Sequence, residues 1–284
     1  MAVTETSAAS VDAVPALGRE AGRRPIRIPA AKVVEPTLCV LAFLGLFEIV
    51  ALTNVFGDDN VIPSLDQIAR ALWHDVVHGP VLEATWVTIR SWGLAMLIVI
   101  AVSIPLGILL GVSRIAYHST HLTVEILRTV PSIAAIPFLV LLYGVGTKIT
   151  VILVLLASTW PLLLQTMDGV HDVDPVARET GRVYGLSGLS QFRQIVFPSA
   201  LPYIATGLRL SGTLGLLLAI GASLFVGGGG LGYLIQVAQG TFNTPLVFAR
   251  TFVAGLLGLV VYYALVWLER RVLAWHPSYR GDGA

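Results

Sequence analysis

Long apolar runs separated by short polar segments dominate the pattern of this chain. Six of the runs are long enough to cross a bilayer, which takes about 20 predominantly apolar residues in a helix. They cover residues 33–56, 84–113, 122–143, 147–167, 202–226 and 245–273. Prolines inside several runs free carbonyl groups that neighbouring helices must satisfy, so these helices are expected to line a bundle or a cavity. The pattern predicts an all-α polytopic membrane protein.

Composition supports that fold class. Of the 284 residues, 55% are hydrophobic and only 12% are charged, whereas soluble domains carry about 25% charged residues. The mean hydropathy of +0.80 exceeds what one soluble core can bury. The net charge of +1 gives no indication of a nucleic-acid partner, and we predict none.

The basic residues predict how the chain is oriented in its membrane. Thirteen of them fall in the N-terminal segment, in two alternate loops and in the C-terminal segment. They are Arg19, Arg23, Arg24, Arg27, Lys32, Arg114, Arg128, Arg178, Arg182, Arg193, Arg270, Arg271 and Arg280. The other loops carry only Arg70 and Lys148 clear of the span ends. The positive-inside rule therefore places both termini in the cytoplasm, as an even number of spans requires.

One polar stretch of about thirty residues, residues 174–202, interrupts the apolar pattern. Asp174 and Pro175 are suited to the first positions of a helix. Gly185 can end that helix in the left-handed conformation, and Ser187 can cap a second short helix. Pro198 is expected to end the second helix, because its ring blocks the helical hydrogen bond. The stretch predicts a helix–turn–helix with one apolar face.

That stretch resembles the cytoplasmic signature loop of ABC-importer permeases, the element that couples to the ATPase. The family pattern is Glu-Ala-Ala, three residues, Gly, nine residues, Ile, one residue, Leu-Pro. Here Glu179-Thr180-Gly181, Gly185, Ile195 and Phe197-Pro198 keep every spacing but change three identities. The resemblance implies ATPase coupling by Glu179, Thr180, Gly181, Arg182, Gly185, Ile195 and Pro198. A surface hairpin without a partner is the alternative.

Further segments resemble the branch of these permeases that imports nitrate, taurine and alkanesulfonates. They are Arg128–Pro137, Trp160–Thr166 and Gly230–Ile235. Ile62–Leu65 resembles the start of an amphipathic segment in ABC-importer permeases. Two positions depart from that branch: Ala135 stands where Trp is usual, and Ser223 stands near a frequent acidic position. The resemblance implies a small, anionic solute, although which one is left open.

The resemblance implies ATP-driven import by alternating access. A cytoplasmic ABC ATPase dimer, a second permease subunit and an extracytoplasmic solute-binding protein would be partners, in a bacterial plasma membrane. ATP and Mg²⁺ would act on the ATPase, with no cofactor and no catalytic residue on this chain.

Residues 1–32 would be a disordered basic tail, 33–82 the first span and a periplasmic loop, 83–273 the permease core with coupling loop 168–201, and 274–284 a second cytoplasmic tail. Whether the second permease is identical is left open.

Uncharged polar residues in the predicted spans are the candidates for lining the transport pathway. They are Ser132, Ser158, Thr159, Ser211, Thr213 and Ser223, together with Ala135. Serine and threonine in spans often bond back to their own helix carbonyls, which is the alternative for each.

A secondary transporter or channel remains the alternative function, although such carriers usually bury ionisable residues for ion coupling.

Other candidate chemistry is weak. His118 and His121 have a spacing that a metal could use, but histidines at a membrane edge are more often interfacial, and we predict no metal site. The single cysteine, Cys39, excludes an intrachain disulfide. Gly227, Gly229 and Gly232 match a dinucleotide fingerprint by letter only, since they follow a membrane helix and not a strand. A sharp turn explains these glycines better.

Overall fold

The computed structural model describes residues 31–53 and 62–275 of the chain. The predicted disordered tail, residues 1–32, and the segment 274–284 lie almost entirely outside the described residues. The chain divides into two compact units, Met1–Phe47 and Glu48–Ala284. The described part of the first unit is helical and belongs to α1, Ala31–Leu52. Its apolar side chains Leu41 and Phe43 are exposed, as suits a lipid environment.

The second unit is built from helices throughout its described part. After α1 come α2 (Leu65–His78), α3 (Val81–Val112), α4 (Arg114–Thr129), a 3₁₀ turn (Ser132–Ala135), α5 (Ile136–Tyr143), α6 (Thr147–His171), α7 (Pro175–Val183), α8 (Gly188–Gln191), a π-helical turn (Phe192–Val196), α9 (Phe197–Val226), α10 (Leu231–Gly240) and α11 (Thr244–Val272). This confirms an all-α polytopic membrane fold.

Within the described ranges, four helical segments are long and apolar enough to cross a membrane. They are Val81–Val112, Thr147–His171, Gly188–Val226 and Thr244–Val272. A fifth span is formed if α4 and the segment Ser132–Tyr143 are counted together, and α1 contributes a shorter apolar stretch, Leu41–Leu52. The predicted total of six spans therefore stays a prediction.

The third predicted span, residues 122–143, is wrong as a single straight helix. The chain bends by 73° between Arg114–Thr129 and Ser132–Tyr143. Pro131 lies at the bend, where the residue before a proline is pushed out of the helical conformation, and Val130 has φ −67° and ψ 122°. The predicted loop before this span is also wrong, because Ser113 alone separates α3 from α4 and caps α4.

Helix α6 is the buried centre of the membrane body. Large apolar side chains along its length, including Leu153, Leu162 and Met167, are fully buried. A Cβ atom added at Gly107 of α3 would lie 2.7 Å from Thr166 Cβ, and one at Gly111 would lie 2.7 Å from Met167 O. The two glycines therefore let α3 approach α6 closely, as their four-residue spacing predicts.

A helix lies in what was predicted to be a polar loop, residues 57–82. Ser64 and Gln67 form a capping box at the start of α2, which fits the resemblance of Ile62–Leu65 to an amphipathic segment. The Leu65 N–H donates to Glu48 Oε2 at 2.8 Å. The acid in the first predicted span thus interacts with the positive end of a neighbouring helix.

The glycine run after α9 forms the sharp turn that was predicted. Gly227, Gly228 and Gly229 have φ of 75°, 95° and 80°, a conformation that glycine adopts without steric cost. The turn leads into α10, which the sequence analysis missed. Its Leu231 N–H donates to Thr88 Oγ1 of α3 at 2.9 Å, so α10 is tied back onto the membrane body.

Two ion pairs join distant helices. Arg250 of α11 and Asp75 of α2 are both buried, with Nε to Oδ2 at 2.8 Å and Nη2 to Oδ1 at 3.0 Å. Arg250 Nη1 also donates to Leu234 O at 2.6 Å, so one guanidinium holds α2, α10 and α11 together. Arg209 of α9 has Nη1 3.3 Å from Oε2 of the buried Glu269 of α11.

The Arg250–Asp75 pair generates the first prediction. Arg250→Met is expected to lower the free energy of unfolding by about 3–5 kcal/mol, because it leaves Asp75 buried without its partner. The double variant Arg250→Met/Asp75→Leu should recover most of that loss. Thermal unfolding of the purified protein measures both. The control, Arg70→Met, breaks only the exposed Arg70–Asp66 pair and should leave the unfolding temperature almost unchanged. Equal losses in the single and double variants would contradict this account.

Candidate functional site

The hairpin (residues 174–198) connects the end of α6 to α9. Asp174 Oδ1 accepts the Val176 N–H at 2.8 Å and Pro175 begins α7. Ser187 caps α8 by accepting the Ser190 N–H at 3.4 Å. These three local predictions are confirmed, and together they fix where both short helices begin.

The turn between α7 and α8 depends on two glycines. Gly185 has φ +74°, and its N–H bonds to Arg182 O while the Leu186 N–H bonds to Gly181 O, both at 3.0 Å. This pair of bonds is the Schellman arrangement that ends a helix with a left-handed residue. A Cβ at Gly181 would lie 2.7 Å from Ile195 Cδ1. Gly181 therefore lets the two arms of the hairpin touch.

Polar and apolar contacts anchor the hairpin to the membrane body. Arg178 Nη2 donates to Val170 O of α6 at 2.5 Å, and Gln191 Nε2 donates to Arg178 O at 2.6 Å. Val196 is buried in a cluster with Val99, Leu162 and Ala200, against which Phe192 and Ile195 also pack. The hairpin is thus a firm extension of the membrane helices.

The surface turned away from those contacts is apolar and unpartnered in the described chain. Val176, Val183, Tyr184 and Leu189 are 66%, 86%, 82% and 70% exposed. Thr180 lies on the same face of α7, and its hydroxyl bonds back to Val176 O. Apolar side chains this exposed on an otherwise polar helix pair typically mark a surface that binds another protein.

Glu179 and Arg182 lie on exposed faces of α7. No basic side chain in the described part of the chain lies within ion-pair distance of Glu179, so Glu179 and Arg182 form no ion pair. Both side chains are instead directed at solvent beside the apolar surface. A charged rim around an apolar patch is the usual anatomy of a protein interface.

Pro198 does not end the second helix, contrary to the prediction. The π-helical turn Phe192–Val196 precedes it, and the Phe197 N–H bonds to Phe192 O across five residues. This wider turn shifts the hydrogen-bond register before the proline, and Pro198 then occupies an early position of α9, where its missing N–H costs little. The fifth span therefore begins at the hairpin and not at residue 202.

A cluster of aromatic and acidic side chains next to the hairpin joins α4 to the end of α6. The Tyr117 O–H donates to Asp168 Oδ1 at 2.9 Å, and its ring stacks on His171 with 3.8 Å between centroids. His121 Nε2 lies 3.2 Å from the same Asp168 oxygen. No three such side chains within the described ranges converge as metal ligands. The cluster holds the start of α4 against the end of α6. No pattern in the sequence predicted it.

The predicted pathway hydroxyls are mostly engaged within the helix bundle. Thr159, Thr213 and Ser223 donate to carbonyls of their own helices, Leu155 O, Arg209 O and Ile220 O. Ser158 Oγ donates to Ser211 O at 3.0 Å and so joins α6 to α9. Ser211 Oγ is buried and has no partner among the described residues. Ala135 packs with the cluster around Ile136, Leu153 and Val226.

Ser132 is the predicted pathway residue that lines a large cleft. This α4–α6–α9 cleft has a volume of about 520 Å³ and lies where the bend at Pro131 faces α6 and α9. Its walls include Trp160 and Pro161 of α6 and Leu210, Leu214 and Leu218 of α9. Prolines at positions 131 and 161 thus line a cavity, as predicted.

Arg128 also lines this cleft and was missed as a pathway candidate. It is exposed and makes no hydrogen bond or ion pair with any described residue. The sequence signal was a basic residue three positions before a proline that breaks a span, which turns the end of α4 towards the cleft. The site is therefore a mostly apolar cleft, and Arg128, which has no partner in the described part of the chain, lies at its edge.

Comparison with known proteins defines the class of this protein. The MetNI methionine ABC transporter, solved in an inward-facing conformation, has a chain that superposes with a TM-score of 0.59 at 19% sequence identity. The match covers 68% of this chain and 95% of that one. The chain thus shares its fold with a chain of that ABC transporter.

The chain belongs to the family of binding-protein-dependent transport system inner membrane components, whose model matches residues 103–274. A protein named aliphatic sulfonates transport permease SsuC, from Bacillus subtilis, is 28% identical over 82% of this chain and 86% of its own length. The nitrate import permease NrtB from Synechocystis is 25% identical over 89% and 96%. The protein is accordingly the multi-pass permease subunit of an ATP-driven importer, and a partner ATPase hydrolyses ATP.

The hairpin turn generates the second prediction. Gly185→Val forces a β-branched residue into a left-handed conformation, at a cost of at least about 1–2 kcal/mol, and should distort the apolar surface. We expect normal membrane insertion but severalfold less ATPase co-purifying with the permease. The matched control is Gly188→Val, where the added Cβ meets nothing within 4 Å. Wild-type ATPase recovery with Gly185→Val would contradict the role of this turn.

Proposed function

We propose that this permease imports a small oxyanion by alternating access and that the α4–α6–α9 cleft is its half of the pathway. The observation that carries the proposal is Arg128, a cation without a partner among the described residues at the edge of a mostly apolar cleft. A cation there attracts an anionic solute and is neutralised by it. The relatives named for nitrate and aliphatic sulfonates support the same substrate class.

The pathway is completed by a second permease subunit, the same or related. Ser132 supplies a hydroxyl in the cleft, while Ser158, Thr159, Thr213 and Ser223 mainly satisfy backbone carbonyls. Ser211 and Ala135 stay pathway candidates, the former because its hydroxyl is unpartnered. With one cation and few hydroxyls, the permease should bind solute weakly, so selectivity resides mainly in an extracytoplasmic solute-binding protein.

The coupling residues transmit ATPase movement through the hairpin. The exposed Val176, Val183, Tyr184 and Leu189 dock in a groove on a cytoplasmic ATPase dimer, as an apolar helix face does. Glu179, Thr180 and Arg182 form the polar part of that contact, and Gly181, Gly185, Ile195 and Pro198 maintain its shape. ATP and Mg²⁺ bind the ATPase, and no cofactor binds this chain.

The helical segment Gly188–Val226 connects the hairpin with the cleft. It is continuous over 39 residues, and Leu210, Leu214 and Leu218 on it line the cleft. A displacement of the hairpin therefore moves one wall of the pathway directly. Such a contiguous rigid element is a physical route for coupling between two distant sites.

We further propose six spans in a bacterial plasma membrane with both termini cytoplasmic. Five spans follow from the described helices if α4 and α5 form one, and α1 would supply the sixth. The proposed division keeps residues 1–32 and 274–284 as cytoplasmic tails, 33–82 as the first span with a periplasmic loop, and 83–273 as the core with coupling loop 168–201. The distribution of Lys and Arg supports this orientation.

Cysteine labelling tests the orientation. In a Cys39→Ser background, Asp66→Cys on α2 should react with an impermeant maleimide in intact cells, because the positive-inside rule puts that helix outside. Gly188→Cys in the hairpin should react only after permeabilisation. Both positions are exposed, so burial within the chain does not prevent reaction. Labelling of position 188 in intact cells would reverse the topology.

Replacement of Arg128 tests the anion pathway. Arg128→Gln should slow the uptake of nitrate or an alkanesulfonate into vesicles by roughly tenfold, which corresponds to about 1.4 kcal/mol. ATPase association and basal ATP hydrolysis should not change. Arg114→Gln is the matched control, because Arg114 lies at the opposite end of the same helix and outside the cleft. Unchanged anion uptake with Arg128→Gln, or equal uptake of a neutral analogue by the wild-type protein, would contradict an anion pathway.

A further inference from the structure

A second large cleft lies between the first half of α3 and the start of α6. This α3–α6 cleft has a volume of about 690 Å³. Its principal side chains are Trp86, Arg90, Leu94, Lys148, Val151 and Ile152. None of the described residues that line it also lines the α4–α6–α9 cleft. It is therefore a cavity separate from the α4–α6–α9 cleft.

Two unpaired cations lie in this cleft. Arg90 is the tenth residue of the spanning helix α3 and has no hydrogen-bond or ion-pair partner among the described residues. Lys148 Nζ lies 5.0 Å from the centroid of the Tyr143 ring. Glu83, seven residues before Arg90, is about 10 Å away along the helix axis, too far for an ion pair. Basic side chains in or next to spans normally pair with an anion, so Arg90 and Lys148 are available to an anionic ligand.

The other basic residues near this end of the molecule are already neutralised. Arg250 is paired with Asp75, and Arg70 with Asp66. Their carboxylate partners are therefore not free to serve Arg90 or Lys148. The positive charge of the α3–α6 cleft is left for a ligand from outside the described chain.

The walls beyond the cations are apolar. Leu94 and Trp86 are 52% and 64% exposed, and Val151 and Ile152 of α6 are half-buried opposite them. Leu94 lies one helical turn further along α3 than Arg90, and Ile152 one turn further along α6 than Lys148. The cleft thus places charge at one end and an apolar wall at the other. Tryptophan beside the cations is typical of the level of lipid headgroups.

A small hydroxyl-lined crevice opens from the cleft, sharing Ser91 and Thr147 with it. Its volume is about 10 Å³, close to the minimum for one water molecule. Thr150 Oγ1 lines it, is buried, and has no hydrogen-bond partner among the described residues. A buried hydroxyl of this kind is normally satisfied by a water or another polar atom.

We propose that the α3–α6 cleft binds an anionic phospholipid. The phosphate lies between Arg90 and Lys148, a headgroup hydroxyl or its water faces Thr150, and an acyl chain runs along Leu94, Val151 and Ile152. A small solute anion would satisfy the cations but leave the apolar wall unfilled. Basic pockets between membrane helices bind anionic headgroups in this way. The proposal depends neither on the transported solute nor on the orientation of the chain.

The test is lipid binding to the assembled importer, depleted of lipid in mild detergent and titrated with phosphatidylglycerol or phosphatidylcholine. Native mass spectrometry or thermal shift gives the affinity. The wild-type protein should prefer phosphatidylglycerol, and Arg90→Gln/Lys148→Gln should weaken its binding by roughly 10- to 30-fold. Both side chains are exposed, so the double variant should fold normally. Arg70→Gln is the matched control and should bind as the wild-type protein does.

A second variant separates lipid from a solute anion. Ile152→Trp fills the apolar wall but keeps both cations, and should weaken phosphatidylglycerol binding while ATP-driven uptake continues. Unchanged binding in the double variant, or equal affinity for phosphatidylcholine, would overturn the proposal. Displacement of the lipid by nitrate or an alkanesulfonate would also overturn it, and would identify the cleft as a site for a solute anion instead.

Discussion

The close packing of α6 between α3 and α9 is the interaction on which the rest of the structure depends. Lipid supplies no hydrophobic drive between helices, so their association relies on small residues and interhelical hydrogen bonds. A Cβ at Gly107 of α3 or at Gly207 of α9 would come within 2.7 Å of an α6 side chain. Ser158 adds its bond to Ser211 O. With α6 fixed on both sides, the bend between α4 and α5 forms a cleft against a rigid wall.

The same packing determines how the hairpin can act on the cleft. Because α9 is held to α6 and continues without a break from α8, the hairpin cannot move without moving α9. The π-helical turn lies where this segment leaves the hairpin, and such turns are frequent at functional positions.

Local signals allowed much of the hairpin to be predicted from sequence, because each acts over a few residues. Asp174, Gly185 and Ser187 each determine a cap or a turn through bonds to near neighbours, and all three are as predicted. The π-helical turn was not predictable, because no residue type indicates the shift in hydrogen-bond register that accommodates Pro198. The Asp75–Arg250 pair was missed for another reason: its partners are 175 residues apart, and only the folded chain shows that they meet.

The arginines of the membrane helices fall into two groups, those paired with a carboxylate inside the chain and those that line a cleft. Arg250 and Arg209 have carboxylate partners inside the chain, so they stabilise helix contacts and offer nothing to a solute. Arg128 and Arg90 have none among the described residues, and each lines a cleft. The span centres are almost free of charge, which is why the sequence indicated an uncharged pathway. Arg128 nevertheless lines the cleft, because it lies at the end of α4 and the bend at Pro131 brings its side chain there. A charged pathway residue therefore needs no charge in the middle of a span.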